Sequence, residues 1–339
     1  MNPPRTVTLR SVAQAAGFAP STVSRALRND PRLPEQTRLE IAAVAARLGY
    51  RANPLATAFM AHLRGAKATK YTSTFAFLLS TRAAAAQWGH RVYLEHCQRY
   101  AESLGYQVDQ FLFAEDGMTP ARMSSVLRTR GVQGVILPAT RPSEPHCDLE
   151  WEYFAAAVIG TRHAMPSLHM AATNHFQNTL LACAELRALG YRRIGFHMKA
   201  LIDEWTLHRP RAAFLYAQSE WPRSQHIPLH ITPELDSAQF WLWKEKHRPD
   251  AILSAHIEVR QWLLARDLRI PEDIGYANTH VIPAFGPCAG ILQLDELVSQ
   301  AAVDLVIGQL HRNERGLAAH PKTVLVDGEW RCGLSVGDP

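Results

Sequence analysis

Apolar residues at the start of the chain recur at helical spacing in three short runs. Thr8 is placed to cap the first, in which Leu9, Val12, Ala13 and Ala16 share a face until Gly17 ends it. Gly17-Phe18-Ala19 forms the turn, and Pro20 stands where a first helical position accepts proline. In the run that follows, Ser21 to Leu27, the side chains of Val23, Ala26 and Leu27 face inward, and Ser21, Thr22, Ser24, Arg25 and Arg28 are left outside. The third run extends from about Pro34 to Leu48 with Ile41, Val44, Ala45 and Leu48 as its stripe, and Gly49 stops it. Two helices joined by a three-residue turn, with a third behind them, are the helix-turn-helix pattern.

Beyond residue 71 the period changes. Apolar strand-like runs alternate with amphipathic helices: Thr74–Leu79 then Arg91–Leu104, Val108–Phe113 then Arg122–Arg130, then Gly134–Pro138 and Ala156–Gly160. A second series follows, with helices at Asn178–Leu189, Arg209–Ser219 and Val259–Arg266 between strands at Arg193–His197, Ala251–Ser254 and Ile274–Ala277. Strand–helix alternation means parallel βαβ units. The chain is expected to cross back, so that helix Glu296–His311 and strand Lys322–Val326 join the first series. The fold class is therefore an all-α helix-turn-helix headpiece followed by an α/β core of two doubly wound subdomains. Residues 1–52 form the headpiece and 53–71 a hinge helix and linker. The core spans 72–335, with one subdomain from about 72–165 and 292–335 and the other from about 166–291.

Charge sharpens this division. The net charge is +5, yet residues 1–70 carry +8 and the remainder −3, which points to a polyanion met by the headpiece alone. No stretch approaches the ~18 apolar residues that would span a bilayer, and the polar start MNPPRTVTLRSVAQ lacks a signal peptide's apolar region, so the expected location is cytoplasmic. The five cysteines are scattered and read as reduced thiols. Sixteen histidines raise a metal question, but His163, His169 and His175 recur at an interval of six that suits neither helix nor strand. With no HExxH or GxxxxGK[ST] pattern either, no metal, cofactor or enzymatic activity is expected.

The stretch TLRSVAQAAGFAPSTVSRALRNDPRLPEQTRLEIAAVAARLGYRANPLATAF resembles, without gaps, the headpiece and hinge of the lactose-repressor (LacI) family. The resemblance implies that the second helix enters the major groove of double-stranded operator DNA. It further implies that a homodimer, or a tetramer, reads a palindrome and that the hinge folds into a minor-groove helix. Pro20, Ser21 and Arg25 match base-reading positions; Thr8, Thr22, Ser24, Tyr50 and Asn53 match phosphate-contacting or anchoring ones. Arg28 is expected to meet the backbone. In the hinge, which includes Ala56, Phe59 matches a leucine that wedges between base pairs. Where relatives carry serine caps, this chain has Ala19 and Pro34.

The core resembles the family's periplasmic-binding-protein-like core less closely, through SLGYQV, RGVQGVILPA, LRALGYRRIGF, RPDAIL, LRIPEDIGYA and LVDGEWRCGLSV. This implies a repressor whose operator affinity is modulated by a small molecule, a carbohydrate among the candidates, held between the subdomains. The family's usual cleft carboxylates are replaced: the corresponding stretches read Thr173-Asn174, His256-Ile257 and Thr279-His280, which disfavours a simple pentose or hexose. Asn174, Trp205, Arg209, Arg211, His256 and His280 are the candidate effector residues. Two other readings are a DNA-binding protein with a degenerate, non-responsive cleft and an enzyme or transport-type binder bearing a helical appendage. The hinge residues Asn53-Pro54-Leu55-Ala56 speak against the last.

Overall fold

The computed structural model describes residues 9–27, 33–48, 73–115, 117–139, 147–161 and 166–337. The chain divides into two compact units, Met1–Thr69 and Lys70–Pro339.

In the first unit α1 (Leu9–Ala16), α2 (Pro20–Ala26) and α3 (Glu35–Arg47) enclose a small core of Val12, Ala13, Val23, Ala26, Ile41 and Ala45. Gly17 adopts φ +70°, and the Phe18 N–H donates back to the Ala13 carbonyl at 3.2 Å, so the chain turns within three residues. The N-caps of α2 and α3 are Ala19 and Pro34, neither of which accepts a helix-end N–H through its side chain. Ala19→Ser should supply that acceptor to the amides of Ser21 and Thr22, stabilising α2 by about 0.5–2 kcal/mol. Amide exchange of α2 in the full chain is the measurement; unchanged protection would dismiss the argument.

The second unit contains two six-stranded sheets. The first has the order β11-β5-β4-β3-β1-β2, formed by β1 (Ser73–Leu79), β2 (Tyr106–Leu112), β3 (Val132–Pro138), β4 (Ala155–Ile159), β5 (His169–Thr173) and β11 (Thr323–Val326), all parallel. Its inner strands are buried on both faces, as parallel sheets covered by crossover helices must be. Met123 and Leu127 of α6 (Pro120–Thr129) cover one face. Cys97 and Ala101 of α5 (Trp88–Ser103) and Val298, Ala302 and Val306 of α12 (Asp295–His311) cover the other. A one-turn α4 (Arg82–Ala85), capped by Thr81, precedes α5.

The second sheet has the order β12-β10-β9-β8-β6-β7, with β6 (Ile194–Lys199), β7 (His230–Thr232), β8 (Ala251–Ser254), β9 (Gly275–Asn278), β10 (Ala289–Leu292) and β12 (Glu329–Arg331). Only the β10–β12 pair is antiparallel. In β6, Ile194, Phe196 and Met198 pack with α7 (His175–Ala188) and α9 (Arg209–Ser219). The alternate residues Gly195 and His197 meet Trp243 and Phe240 of α10 (Ser237–His247) and Trp262 of α11 (Ile257–Leu264). α8 (Ala200–Trp205) links β6 to α9.

The chain passes between the sheets three times: after β5, after β10 and after β11. Helix α12 and β11 do return to the first sheet. The sheet memberships differ from the expected subdomain limits at two places. β5 precedes the first crossing and belongs to the first sheet, although it lies within 166–291. β12 lies within 292–335 yet pairs with β10 of the second sheet, because Asp327-Gly328 turns the chain away from β5. The crossings are tied together. Asn174 Nδ2 donates to Asp327 Oδ1 at 2.8 Å, and the Gly328 N–H donates to Asn178 Oδ1 at 2.7 Å.

Candidate functional site

On α2, Pro20 and Ser21 are exposed and Thr22, Ser24 and Arg25 are partly buried, while Val23 and Ala26 form the inward face. One side of a short helix thus presents two hydroxyls and a proline at its N-terminal turn, with a third hydroxyl and a guanidinium farther along. Hydroxyls and guanidiniums suit phosphate oxygens and base edges. Thr8, Arg28, Tyr50, Asn53, Ala56 and Phe59 lie outside the described residues.

In the second unit, a cavity of about 520 Å³ opens where the carboxyl ends of strands from both sheets face each other, at the crossings. Loops beyond strand ends are where open parallel sheets hold ligands. Trp88, His90 and Tyr93 from the start of α5 contribute from the first subdomain, and Trp205, His256 and His280 from the second. Trp88 and His280 approach to 6.0 Å between ring centroids, and His280 Nε2 lies 3.5 Å from Asp295 Oδ2, so the two subdomains touch across the cavity.

Of the six residues expected here, Trp205, His256 and His280 line the cavity and three do not. Asn174 caps α7 by accepting from the Gln177 N–H, and its amide is engaged by Asp327 at a crossing. Arg211 turns to the buried Asp203 carboxylate, 3.3 Å away, which also meets His208 Nδ1 at 2.8 Å. That cluster fastens the turn between α8 and α9, where Leu207 and His208 both have positive φ. Arg209 opens α9, and its Nη1 is buried without a hydrogen-bond partner; it is not itself a lining residue, but its charge reaches His175, which is.

His175 and Asn178, one turn apart on α7, line the cavity although sequence reasoning missed them. The available signal was positional: they form the first turn of a helix that directly follows a strand. Two of the imidazoles here, His175 and His256, are held toward the neutral form. Burial, with His280 and Arg209 nearby, pushes His175 down to about 4. Burial also lowers His256, whose Nε2 accepts the Lys199 N–H at 3.0 Å, leaving its proton on Nδ1. Tyr93 is raised by burial and by the neighbouring Asp295 carboxylate.

A further spacing escapes the sequence reading. Gly333-Leu334-Ser335-Val336-Gly337 has the GxSxG form of a nucleophile elbow. Ser335 is 1% exposed; its Oγ donates to the Tyr276 carbonyl at 2.7 Å and accepts the Ala289 N–H at 2.8 Å. It clasps β9 to β10. Among the described residues no cluster of three or more metal-ligating side chains occurs, and no helix is long and apolar enough to cross a membrane.

Residues 8–53 match the family described as "Bacterial regulatory proteins, lacI family". No curated protein sequence matches the chain. Among solved structures, the transcriptional regulator CelR in complex with cellobiose is similar at 18% identity and TM-score 0.56, over 97% of this chain and 99% of that one. The lac repressor dimer bound to operator and the anti-inducer ONPF is similar at 19% identity and TM-score 0.55, over 98% of this chain and 100% of that one. A LacI family regulator from Enterococcus faecium with bound ribose has 14% identity and TM-score 0.56, over 79% of this chain and 100% of that one. At such identities the structures speak for fold, and the headpiece match speaks for lineage. Residues 8–53 thus form a helix-turn-helix domain of the lacI family of bacterial regulatory proteins, and the chain shares the fold of these solved regulators.

Proposed function

We propose that the protein is a cytoplasmic repressor that binds a palindromic operator as a homodimer and changes its affinity when a small molecule occupies the cleft between the subdomains. The observation that carries the reading is the coexistence, in one chain, of the outward hydroxyl and guanidinium face of α2 with a cavity of about 520 Å³ at the strand ends of the body. That volume is within the ~300–1,000 Å³ of small-molecule sites. The operator-bound dimer and the cellobiose and ribose complexes among its structural relatives support both halves. Pro20, Ser21 and Arg25 read bases, Thr8, Thr22, Ser24, Arg28, Tyr50 and Asn53 hold the backbone, and the hinge around Ala56 places Phe59 as a wedge in the minor groove.

An arginine on a major-groove helix can give two donors to guanine O6 and N7, an arrangement worth about 1–3 kcal/mol of discrimination. The test begins by selecting the operator from random duplexes with the full chain. Arg25→Ala should then lose about 1–3 kcal/mol on the selected sequence and lose preference at one base pair in each half-site. Equal losses on selected and random DNA would remove Arg25 from readout. A monomer at micromolar concentration on the selected duplex would contradict the dimer.

A further inference from the structure

The cleft, given its reading as an effector site, is acted on by two charges from behind its described lining. One is Asp295, which already has partners: His280 Nε2 lies 3.5 Å from its Oδ2, and it stands against the Tyr93 hydroxyl. The other is Arg209, which has none. Its Nη1 is buried without a hydrogen-bond partner, and Asp203, the buried carboxylate of α8, is taken by His208 at 2.8 Å and Arg211 at 3.3 Å. A buried guanidinium without a counter-ion is costly, and an anion arriving in the cleft would relieve that cost.

Arg209 stands between two lining residues, Thr206 and Pro210, at the start of α9, and its charge reaches the lining ring of His175 in the first turn of α7. Helices α7 and α5 both begin at the cavity, so the positive ends of their dipoles add to the same potential. A planar carboxylate is the anion that a guanidinium and an imidazole hold through charge-assisted hydrogen bonds. A phosphate, with nearly two negative charges, would exceed the single guanidinium. The rest of the molecule is indicated by the broad rings of the wall, Trp88 and Tyr93 from one subdomain and Trp205 from the other.

Charge balance decides what accompanies such an anion. Arg209 and Asp295 cancel, and His175 and His256 are held toward the neutral form. A carboxylate entering by itself would leave a surplus negative charge, so a proton should enter with it. His175 is placed to receive that proton. The groups that face it are Arg209 of α9, His280 beyond β9 and Asp295 at the start of α12, and across the cavity His90 and Tyr93 of α5 and His256 before α11. Burial, with His280 and Arg209 nearby, holds the free ring at about 4, and an adjacent carboxylate acts in the opposite sense and raises it.

We propose that the cleft binds an aromatic carboxylic acid as its anion, its ring among Trp88, Tyr93 and Trp205 and its carboxylate held by His175 and backed by Arg209. Thermal shift and calorimetry on the full-length protein would use benzoate and 4-hydroxybenzoate as probes. Benzamide serves as the uncharged isostere, phenyl phosphate as the dianion, and ribose and cellobiose as sugars. The benzoates should raise the melting temperature by several degrees at millimolar concentration, and the others should not. Free His175 is unprotonated above about 4 and the bound ring carries a proton, so binding takes one up. Affinity should therefore weaken from pH 6 to 8, toward about tenfold per unit, and the binding enthalpy should differ between phosphate and Tris buffers. Arg209→Gln should weaken benzoate tenfold or more, Arg209→Lys should retain most of the affinity, and His175→Phe should abolish the proton uptake. The melting temperature of each free variant verifies folding. Stabilisation by benzamide, phenyl phosphate or the sugars in place of the benzoates would overturn the ligand class and leave the effector cleft standing. So would benzoate binding that is indifferent to Arg209→Gln or takes up no proton. Silence from every probe would overturn both.

Discussion

Gly290→Ala should prevent the second subdomain from reaching its native sheet. Gly290 stands in β10 opposite Asn278 of β9, at φ +146°. A Cβ there would fall 2.0 Å from the Asn278 carbonyl oxygen and 2.7 Å from its nitrogen. Both atoms are main chain, in strands with neighbours on either side, so neither can yield as a flexible side chain would. We expect a loss exceeding about 4 kcal/mol, among the largest that single substitutions produce, which for a body of this size means a drop of roughly 10 °C or more. Gly89→Ala is the control: nothing lies within 4 Å of its Cβ in the first turn of α5, and the substitution should be neutral or stabilise by up to about 1 kcal/mol. Scanning calorimetry distinguishes them; similar melting of both variants would refute the clash. A second readout is ligand binding, since Asn278 Oδ1 holds the His280 N–H at 2.8 Å.

Mild acid should unfold the body. His197 is fully buried between the sheet and α10 and α11, with Ser254 Oγ 3.1 Å from its Nδ1 and the rings of His230, His256, Phe240 and Trp262 around it. Burial, with His230 and His256 nearby, pushes it down to about 3, and burial lowers His230 and His256 too. Below the ordinary imidazole value of about 6.5 the unfolded chain takes up protons that the folded chain refuses, so stability falls as the pH falls. For His197 the window runs from about 6.5 down to about 3. Each such histidine contributes a slope of up to about 1.4 kcal/mol per pH unit. Urea denaturation between pH 7 and 4.5 should therefore show a steep decline, shallower by about one proton in His197→Phe. Parallel curves for the two proteins would exclude His197 as a source.

The headpiece was legible because its instructions are local: Gly17, Pro20 and the inward stripe of α2 act within a few residues of each other. The strand–helix rhythm of the body was legible for the same reason. Segments whose identity depends on distant partners were not. Ser237–His247 is rich in Phe and Trp, which favour strands, and becomes helical because Asp236 caps it and its rings pack on β6 and β8. The short strands β5, β10 and β12 acquire meaning only from their neighbours in the sheets. The cleft follows this logic: Trp88, His175 and His280 are far apart in sequence and meet only after the chain has crossed and returned. The arginines chosen by resemblance illustrate the limit, since the sequence shows no sign that Asp203 would claim Arg211.

The three crossings have a mechanical meaning. Two bodies joined by one tether can swivel in any direction, but three tethers side by side resist torsion and shear. The Asn174–Asp327 hydrogen bond acts as a crossbar between two of them. What remains soft is bending about a single line through the crossings, which lie beside the cavity. On the proposed reading, an occupant of the cleft would set this one angle, so chemically different occupants would produce the same motion and differ only in how far along it they hold the body.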